Sequence, residues 1–379
     1  MIINRTPFRI SFFGGGTDYP GWYLKHGGSV LSTSIDKYCY ITCRVLPPFF
    51  EHRLRIVYSK MEQCQHYNEV KHPAVREILR FLKIDQGLEI HHDGDLPARS
   101  GMGSSSSFTV GLLHALYAHL GIMPSKKQLA YESIHIEQDM IKEAVGSQDQ
   151  VCVAYGGFNQ INFSTNGEIE VQPVTLSAQR IEELDSHLML FYTGIRRTAS
   201  DVAQGYVNDL DKKHKLLCRM QNMVDTGVKI LSSNSDIHEF GELLHETWML
   251  KRDLSSEVSN GDVDDLYARA RKAGAIGGKI TGAGGGGFLL LFVPPLQQKR
   301  VREALSDRIH VPFSFESRGS QVIFYEPERE DYIKLERDRT RRVISSFKEL
   351  DSIMKPGRTT TIPVGKKQQN SVEQTIKKS

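Results

Sequence analysis

The sequence predicts a soluble protein of two domains in which β-strands and α-helices are mixed. Three observations predict it. A chain of 379 residues exceeds what a single hydrophobic core ordinarily serves. Alternating apolar stretches such as Arg5–Phe13 read as strands. Helical spacing over Phe108, Leu112, Ala115, Leu116 and Leu120 reads as an amphipathic helix. With 39% hydrophobic and 25% charged residues the composition is that of a globular protein, and no apolar run reaches the length of a membrane span. The opening Met1–Pro7 lacks the layout of a signal peptide, and five scattered cysteines have no zinc-ribbon spacing, so reduced thiols in a cytoplasmic protein are expected. Asp331–Ser379 holds 12 Lys and Arg against 6 Asp and Glu, a net of +6, which leaves −3 for the rest. That basic tail is expected to be solvated, helical over Tyr332–Met354 and disordered beyond, not a nucleic-acid grip.

In chain order, the strand Arg5–Phe13 empties into Gly14-Gly15-Gly16-Thr17-Asp18, where bare backbone can press on a ligand and one carboxylate can accept polyol hydroxyls. Val30–Leu46, Leu54–Tyr58 and Leu88–His92 read as strands around a helix near Val75–Leu82. His91 and His92 precede two aspartates, but adjacent strand residues face opposite ways, which disfavours a metal there. Ser125–Gln128 reads as a capping box opening a helix whose stripe is Leu129, Ala130, Ile134 and Ile141. Glu137 falls on that stripe, and a buried carboxylate needs a cation or an ion pair. Ser147-Gln148-Asp149-Gln150 reads as a polar loop placing Asp149 just beyond it. Leu188–Tyr192 reads as a buried strand leading to Thr193-Gly194-Ile195-Arg196-Arg197, an arginine pair open to either a solvated or an anion-binding reading. Helical spacing covers Ser200–Leu231, Ile237–Leu254, Val263–Ala273 and Leu296–Arg308, and Phe288–Val293, Pro312–Ser317 and Gln321–Tyr325 read as strands.

The chemistry concentrates in Leu96–Ser107. Pro97 sets an extended entry, Gly101 and Gly103 allow a tight turn, and the serines fall in the first helical turn. Unpaired N–H groups and the helix dipole there favour an anion, and a linker would not feed directly into an amphipathic helix. The stretch is not a Walker A loop, and kinase H-R-D and D-F-G signatures are absent. Gly282–Gly287 forms a G-x-G-x-x-G, but it precedes a strand, contrary to a dinucleotide fold, and reads as a close-approach loop.

Three ordered motifs resemble the GHMP kinases: Thr6–Asp18, Pro97–Ser107 and Lys279–Phe288. The resemblance implies an α+β two-domain fold, with an N-terminal domain like ribosomal protein S5 domain 2 over 1–180, a ferredoxin-like C-terminal domain over 181–330, and the tail 331–379 outside both. It implies ATP on Pro97, Ser100, Gly101, Met102, Gly103, Ser104, Ser105, Ser106 and Ser107; Mg²⁺ on Ser105 and Glu137; Asp149 as base; and Arg9 as its partner. Substrate would meet Gly14, Gly15, Gly16, Thr17, Asp18, Thr193, Gly194, Arg196, Arg197, Gly282, Ala283 and Gly284. Gly14-Gly15-Gly16 departs from the galactokinase pattern, and Gly14–Pro20, Ser100–Ser107 and Gly146–Gln150 are most similar to the heptose 7-phosphate kinase branch. A sugar-phosphate kinase acting at the anomeric hydroxyl is therefore expected. Its partners would be a small sugar phosphate and, in a homodimer, a second copy, with neither nucleic acid nor membrane insertion. Another sugar-1-kinase, for fucose, an octose phosphate or a hexose, is the alternative within the class. A silent nucleotide- and sugar-binding regulator is the alternative outside it.

Overall fold

The computed structural model describes residues 1–98, 100–195, 210–327 and 334. Strands β1 (Ile2–Phe13), β2 (Gly28–Val45), β3 (Leu54–Val57), β4 (Met61–Cys64), β5 (Leu88–Gly94), β6 (Phe158–Phe163) and β7 (Ile169–Pro173) build a first sheet. A second, smaller sheet holds β8 (Leu188–Tyr192), β9 (Gly277–Ile280), β10 (Phe288–Phe292) and β11 (Ile309–Val311) in the order β11-β8-β10-β9, wholly antiparallel. The last strands, β12 (Phe315–Glu316) and β13 (Gln321–Tyr325), return to the first sheet, where β12 pairs with β2 and β13 with β1. The expected boundary at 330 therefore does not follow the sheets. The second sheet spans 188–311, and the chain crosses back after it.

The helices are α1 (Pro20–His26), α2 (Pro73–Leu82), α3 (Ser104–His119), α4 (Lys126–His135), α5 (Gln148–Tyr155), α6 (Ala178–His187), α7 (His214–Ser232), α8 (His238–Arg252), α9 (Gly261–Ala273) and α10 (Gln298–Ala304). α3 is buried on most sides, as its run of apolar residues requires, and it packs on β1 and β2. α4 starts at Ser125, whose hydroxyl accepts from the Gln128 N–H at 3.0 Å. The second half of the capping box is missing, because the Gln128 amide turns away to Tyr117 and Glu132. The Cys39, Cys43, Cys64, Cys152 and Cys218 thiols are free. No helix among the described residues is long and apolar enough to cross a membrane.

Two features position the site. First, β1 is irregular against β2 between Pro7 and Phe8 and again between Ser11 and Phe13. These bulges bracket Arg9 and Ser11 and re-aim that face of the strand. Second, aromatic packing locks the end of β1 onto α8: Phe240 meets the Phe12 and Phe13 rings edge-on at 5.4 and 5.0 Å. The Lys279 ammonium adds a strap, donating to the Ser11 and Phe12 carbonyls at 2.9 Å each. The cleft lies between the two sheets at this junction.

Several expectations on local structure are corrected. Asp149 lies in the first turn of α5, not in a loop. Gly277–Ile280, which the sequence left unassigned, is strand β9, so the glycine-rich segment is a β9–β10 connection. Of the expected Pro312–Ser317 strand only Phe315–Glu316 forms, as β12, and the strand before it, β11, ends at Val311 in the other sheet. The Leu296–Arg308 helix is only the seven residues of α10 after a 3₁₀ turn. The helical readings of residues 200–209 and of Tyr332–Met354, apart from Lys334, and the tail beyond them lie outside the described residues.

Candidate active site

Arg9 donates from Nε and Nη2 to both oxygens of Asp149, at 2.7 and 2.6 Å, and from Nη1 to the Gly101 carbonyl at 2.8 Å. This fork-to-fork geometry fixes the carboxylate in orientation. Arg9 is 3% exposed and Asp149 24%, so the pair's open side is the aspartate. Burial works against the guanidinium charge, but Asp149 outweighs it and holds the Arg9 pKa above its ordinary value. Gly103 makes the approach possible: it sits at φ +76°, and a Cβ there would come within 3.0 Å of the Arg9 side chain.

Gly103 is also the N-cap of α3, and no side chain caps this helix. Its first turn, Ser104 to Ser106, faces the cleft with the positive end of the dipole, an arrangement suited to a phosphate. Beside it the chain passes from α4 into a single π-helical turn, Ile136–Met140, which carries Glu137. Glu137 is 1% exposed, and its Oε2 accepts from Ser106 Oγ at 3.0 Å and from the Gln150 amide. Oε1 has no hydrogen-bond partner, and the nearby Thr109 hydroxyl has none either. Burial pushes the Glu137 carboxyl up to about 7; the Thr109 hydroxyl opposes the shift and the Glu143 charge reinforces it. An unpartnered carboxylate oxygen beside the uncapped N-terminus of α3 fits Mg²⁺, which takes one or two protein oxygens plus phosphate. The hydroxyl coupled to Glu137 belongs to Ser106; Ser105 is exposed on the cleft wall. Among the described residues no cluster of three His, Cys, Asp or Glu is arranged for a metal, at His91 and His92 or elsewhere.

On the opposite wall the glycine loop after β1 presents Gly15, Gly16 and Asp18. Asp18 is buried and accepts from the Gly16 N–H at 2.9 Å and the Gln148 N–H at 3.4 Å. Burial raises its pKa, opposed by the Gly16 N–H. Gly146 lets this carboxylate in, because a Cβ there would lie 1.9 Å from Asp18 Oδ2. Gly14 and Thr17 do not line the cleft. A Cβ on Gly14 would strike the Ser29 carbonyl at 1.9 Å, and the Thr17 hydroxyl bridges the Gly14 and Ser29 carbonyls, so both shape the loop.

The two glycine-rich loops meet backbone to backbone. A Cβ on Gly101 would lie 2.6 Å from the Thr281 carbonyl, and one on Gly282 would lie 2.6 Å from Gly101 Cα. Gly282 and Ala283 line the cleft, whereas Gly284 packs on the Val258 backbone. Thr193 is spent on bracing this loop: its N–H and hydroxyl both go to the Gly287 carbonyl. Gly194 lies beside it, away from the cleft wall. Within the nucleotide stretch, Pro97, Ser100, Met102 and Ser107 stay behind the wall; Met102 is core and Ser107 Oγ donates to the Pro7 carbonyl. Arg196 and Arg197 lie outside the described residues.

Among the cleft residues that escaped the sequence reading are Ser11, Gln148, Lys251 and Lys279. Ser11 shares its strand face with Arg9, two residues on, and that polar pair in a buried strand was the available signal. Lys251 extends the buried stripe Phe240, Leu244, Thr247 and Trp248 on α8, the same signal that marked Glu137. Ser11 Oγ and Gln148 Oε1 are buried without hydrogen-bond partners, as groups awaiting a polar ligand would be.

The family description GHMP kinases N terminal domain matches residues 68–157, and GHMP kinases C terminal matches residues 228–310. The chain is 28% identical over 317 residues to D-glycero-alpha-D-manno-heptose 7-phosphate kinase of Campylobacter jejuni, covering 80% of this chain and 93% of that one. It is 26% identical over 332 residues to the bifunctional fucokinase/GDP-fucose pyrophosphorylase of Arabidopsis thaliana, covering 79% of this chain but 31% of that longer protein. In fold it resembles a D-glycero-D-manno-heptose 1-phosphate kinase from Bacteroides thetaiotaomicron, with a TM-score of 0.71 at 23% identity over 86% of this chain and 100% of that one.

Proposed function

The chain carries both GHMP kinase domains and belongs to that family of ATP-dependent phosphotransferases with an alcohol group as acceptor, and from this premise we propose that it is a sugar kinase acting on the anomeric hydroxyl of a heptose phosphate. The observation that carries the proposal is the Asp149 carboxylate, clamped by Arg9, in one cleft with the uncapped N-terminus of α3. That juxtaposition brings a proton acceptor and a phosphate cradle to the same reacting atoms.

The residues divide the work. Backbone N–H groups of the first turn of α3 hold the triphosphate's oxygens. Glu137, with Ser105 and Ser106 beside it, would hold Mg²⁺, which when bound neutralises phosphate charge. Asp149 accepts the acceptor hydroxyl's proton, or orients that hydroxyl, and Arg9 keeps the carboxylate aimed. Asp18, Ser11 and Gln148 offer acceptors to sugar hydroxyls on the facing wall. Because the transition state of phosphoryl transfer is loose, this positioning and charge placement supply most of the acceleration.

The heptose 7-phosphate assignment is supported by the Campylobacter relative, whose match covers 80% of this chain and 93% of its own length. The similarity to a fucokinase favours a second reading, a sugar-1-kinase for an unphosphorylated sugar. An ADP-coupled assay separates them. The purified protein should use D-glycero-D-manno-heptose 7-phosphate at least about 10-fold better in kcat/KM than the unphosphorylated heptose, the value of one charge-assisted contact. Equal use of the two, or preference for fucose, would overturn the sugar-phosphate assignment.

A further inference from the structure

Lys251 is a buried ammonium for which no carboxylate provides an ion-pair partner among the described residues. It stands in the last turn of α8, a helix pressed so tightly on β9 that a Cβ on Gly277 would lie 1.9 Å from the Gly241 carbonyl. That close contact, with the Phe240 ring packed on Phe12 and Phe13, brings the helix end to the cleft. Lys251 is 5% exposed and lines the cleft with Arg9, Asp18 and Asp149. Its ammonium donates to the Gly282 carbonyl and has no other acceptor among the described residues. Gly282 in turn rests on Gly101, whose carbonyl takes the Arg9 Nη1 proton. The amine therefore stands where the two glycine loops touch, beside the Arg9–Asp149 pair and two residues before the N-cap of α3.

Lys279 offers the contrast. Its ammonium is committed to two carbonyls of β1, Ser11 and Phe12, and ties the sheets together. Lys251 uses one of its three N–H donors and leaves the others for the cleft. A buried cation without an anion is costly, so a ligand that supplies the anion gains from meeting it.

We propose that Lys251 is a further catalytic residue, its ammonium contacting the phosphoryl group as that group passes from nucleotide to acceptor. The role rests on the kinase reading above. In the step, the acceptor oxygen forms its bond to the γ-phosphorus, the bond from that phosphorus to the β-phosphate's oxygen breaks, and the hydroxyl proton passes to Asp149. Lys251 neither gives nor takes a proton; it offsets charge on the oxygens in flight. Burial depresses its pKa to about 8; the Arg9 charge adds to this, and Asp18 and Asp149 oppose it. The ammonium is thus charged below about pH 8 and neutral above it. The other charged groups on the cleft are Arg9 from β1, Asp18 from the loop after it, Glu137 and Glu143 beyond α4, Asp149 from α5 and Lys279 from β9. Glu137 gains charge as pH rises, and burial lowers the Lys279 pKa well below its ordinary value too, but both residues are kept in the variants below, so the difference between wild type and variant isolates Lys251.

The test compares Lys251→Met and Lys251→Arg with the wild-type full chain, using ATP and heptose 7-phosphate for turnover and AMP-PNP and ADP for binding. Lys251→Met should lose about 100-fold in kcat, the scale of one lost transition-state donor, with sugar KM within about threefold. It should also lose the wild type's preference for AMP-PNP over ADP. Lys251→Arg should recover part of the rate and hold it above pH 8, where the wild type declines. A Lys251→Met enzyme that keeps its kcat and its AMP-PNP preference overturns the role while wild-type turnover leaves the kinase reading standing. A wild type that consumes no ATP with any sugar or sugar phosphate overturns the kinase reading and this role with it. Should Lys251→Met fail to fold, by circular dichroism, Lys251→Arg decides: an unchanged alkaline limb overturns the role, and a limb moved upward supports it.

Discussion

Glu137→Gln changes one buried group whose cost can be worked out. In the folded protein burial pushes this carboxyl up to about 7 from an ordinary 4.5. The folded state therefore keeps a proton that the unfolded chain has already released across that interval. The sign follows: the stability this proton provides is fully present below pH 4.5 and is lost as pH rises through about 7. The gap corresponds to about 3 kcal/mol of stability lost by pH 8 in the nucleotide-free protein. Glutamine carries no charge at any pH. Its oxygen can accept from Ser106 and Gln150 as Oε2 does, and its amide then takes the place of the unpartnered Oε1. Urea unfolding in the presence of a chelator, run from pH 5 to 8.5, should show similar midpoints at pH 5 and a more stable variant at pH 8. Addition of Mg²⁺ with ADP should then stabilise the wild type far more than the variant, because only the carboxylate meets the cation. A stability difference that is the same at pH 5 and pH 8 would refute the buried-charge argument, and equal Mg²⁺ responses would remove Glu137 from the metal site.

Two further perturbations separate the walls of the cleft. Asp149→Asn should lower kcat by at least roughly 100-fold while nucleotide affinity stays nearly intact, measured by steady-state kinetics and ADP titration; near-wild-type turnover would remove Asp149 from the mechanism. Gly146→Ala places a methyl 1.9 Å from Asp18 Oδ2 and must displace that carboxylate. It should raise the sugar KM, spare ADP binding and cost about 1–3 kcal/mol in unfolding, and an unchanged KM would show that Asp18 does not touch the sugar.

Features governed by local rules were legible in the sequence. The Ser125 cap, the α3 stripe and the strands Leu188–Tyr192 and Gln321–Tyr325 each follow from periodicity or from one hydrogen bond. Glu137 was legible because a carboxylate on an apolar stripe is a local contradiction that demands a partner. Asp149 was found but placed wrongly: Ser147, Gln148 and Gln150 are polar, so nothing announced that α5 begins at Gln148. Gln150 is fully buried because it reaches Glu137, a contact made across the fold. β9 was missed because Gly277 and Gly278 look like a link; they are glycines because α8 and β10 leave no room for a Cβ.

The same reasoning explains why the C-terminal glycine loop was only partly legible. Its sequence offers close backbone approach but does not say to what. The structure divides it by what each glycine touches: Gly282 meets Gly101 of the nucleotide loop, Gly284 meets Val258, and Gly287 meets Ser100. Most of the loop's bareness thus serves packing of the chain on itself, which holds the Ser100–Gly101 turn beside Arg9. A motif of glycines marks where backbones converge, and only the surrounding fold decides whether the second backbone belongs to a ligand or to the chain itself.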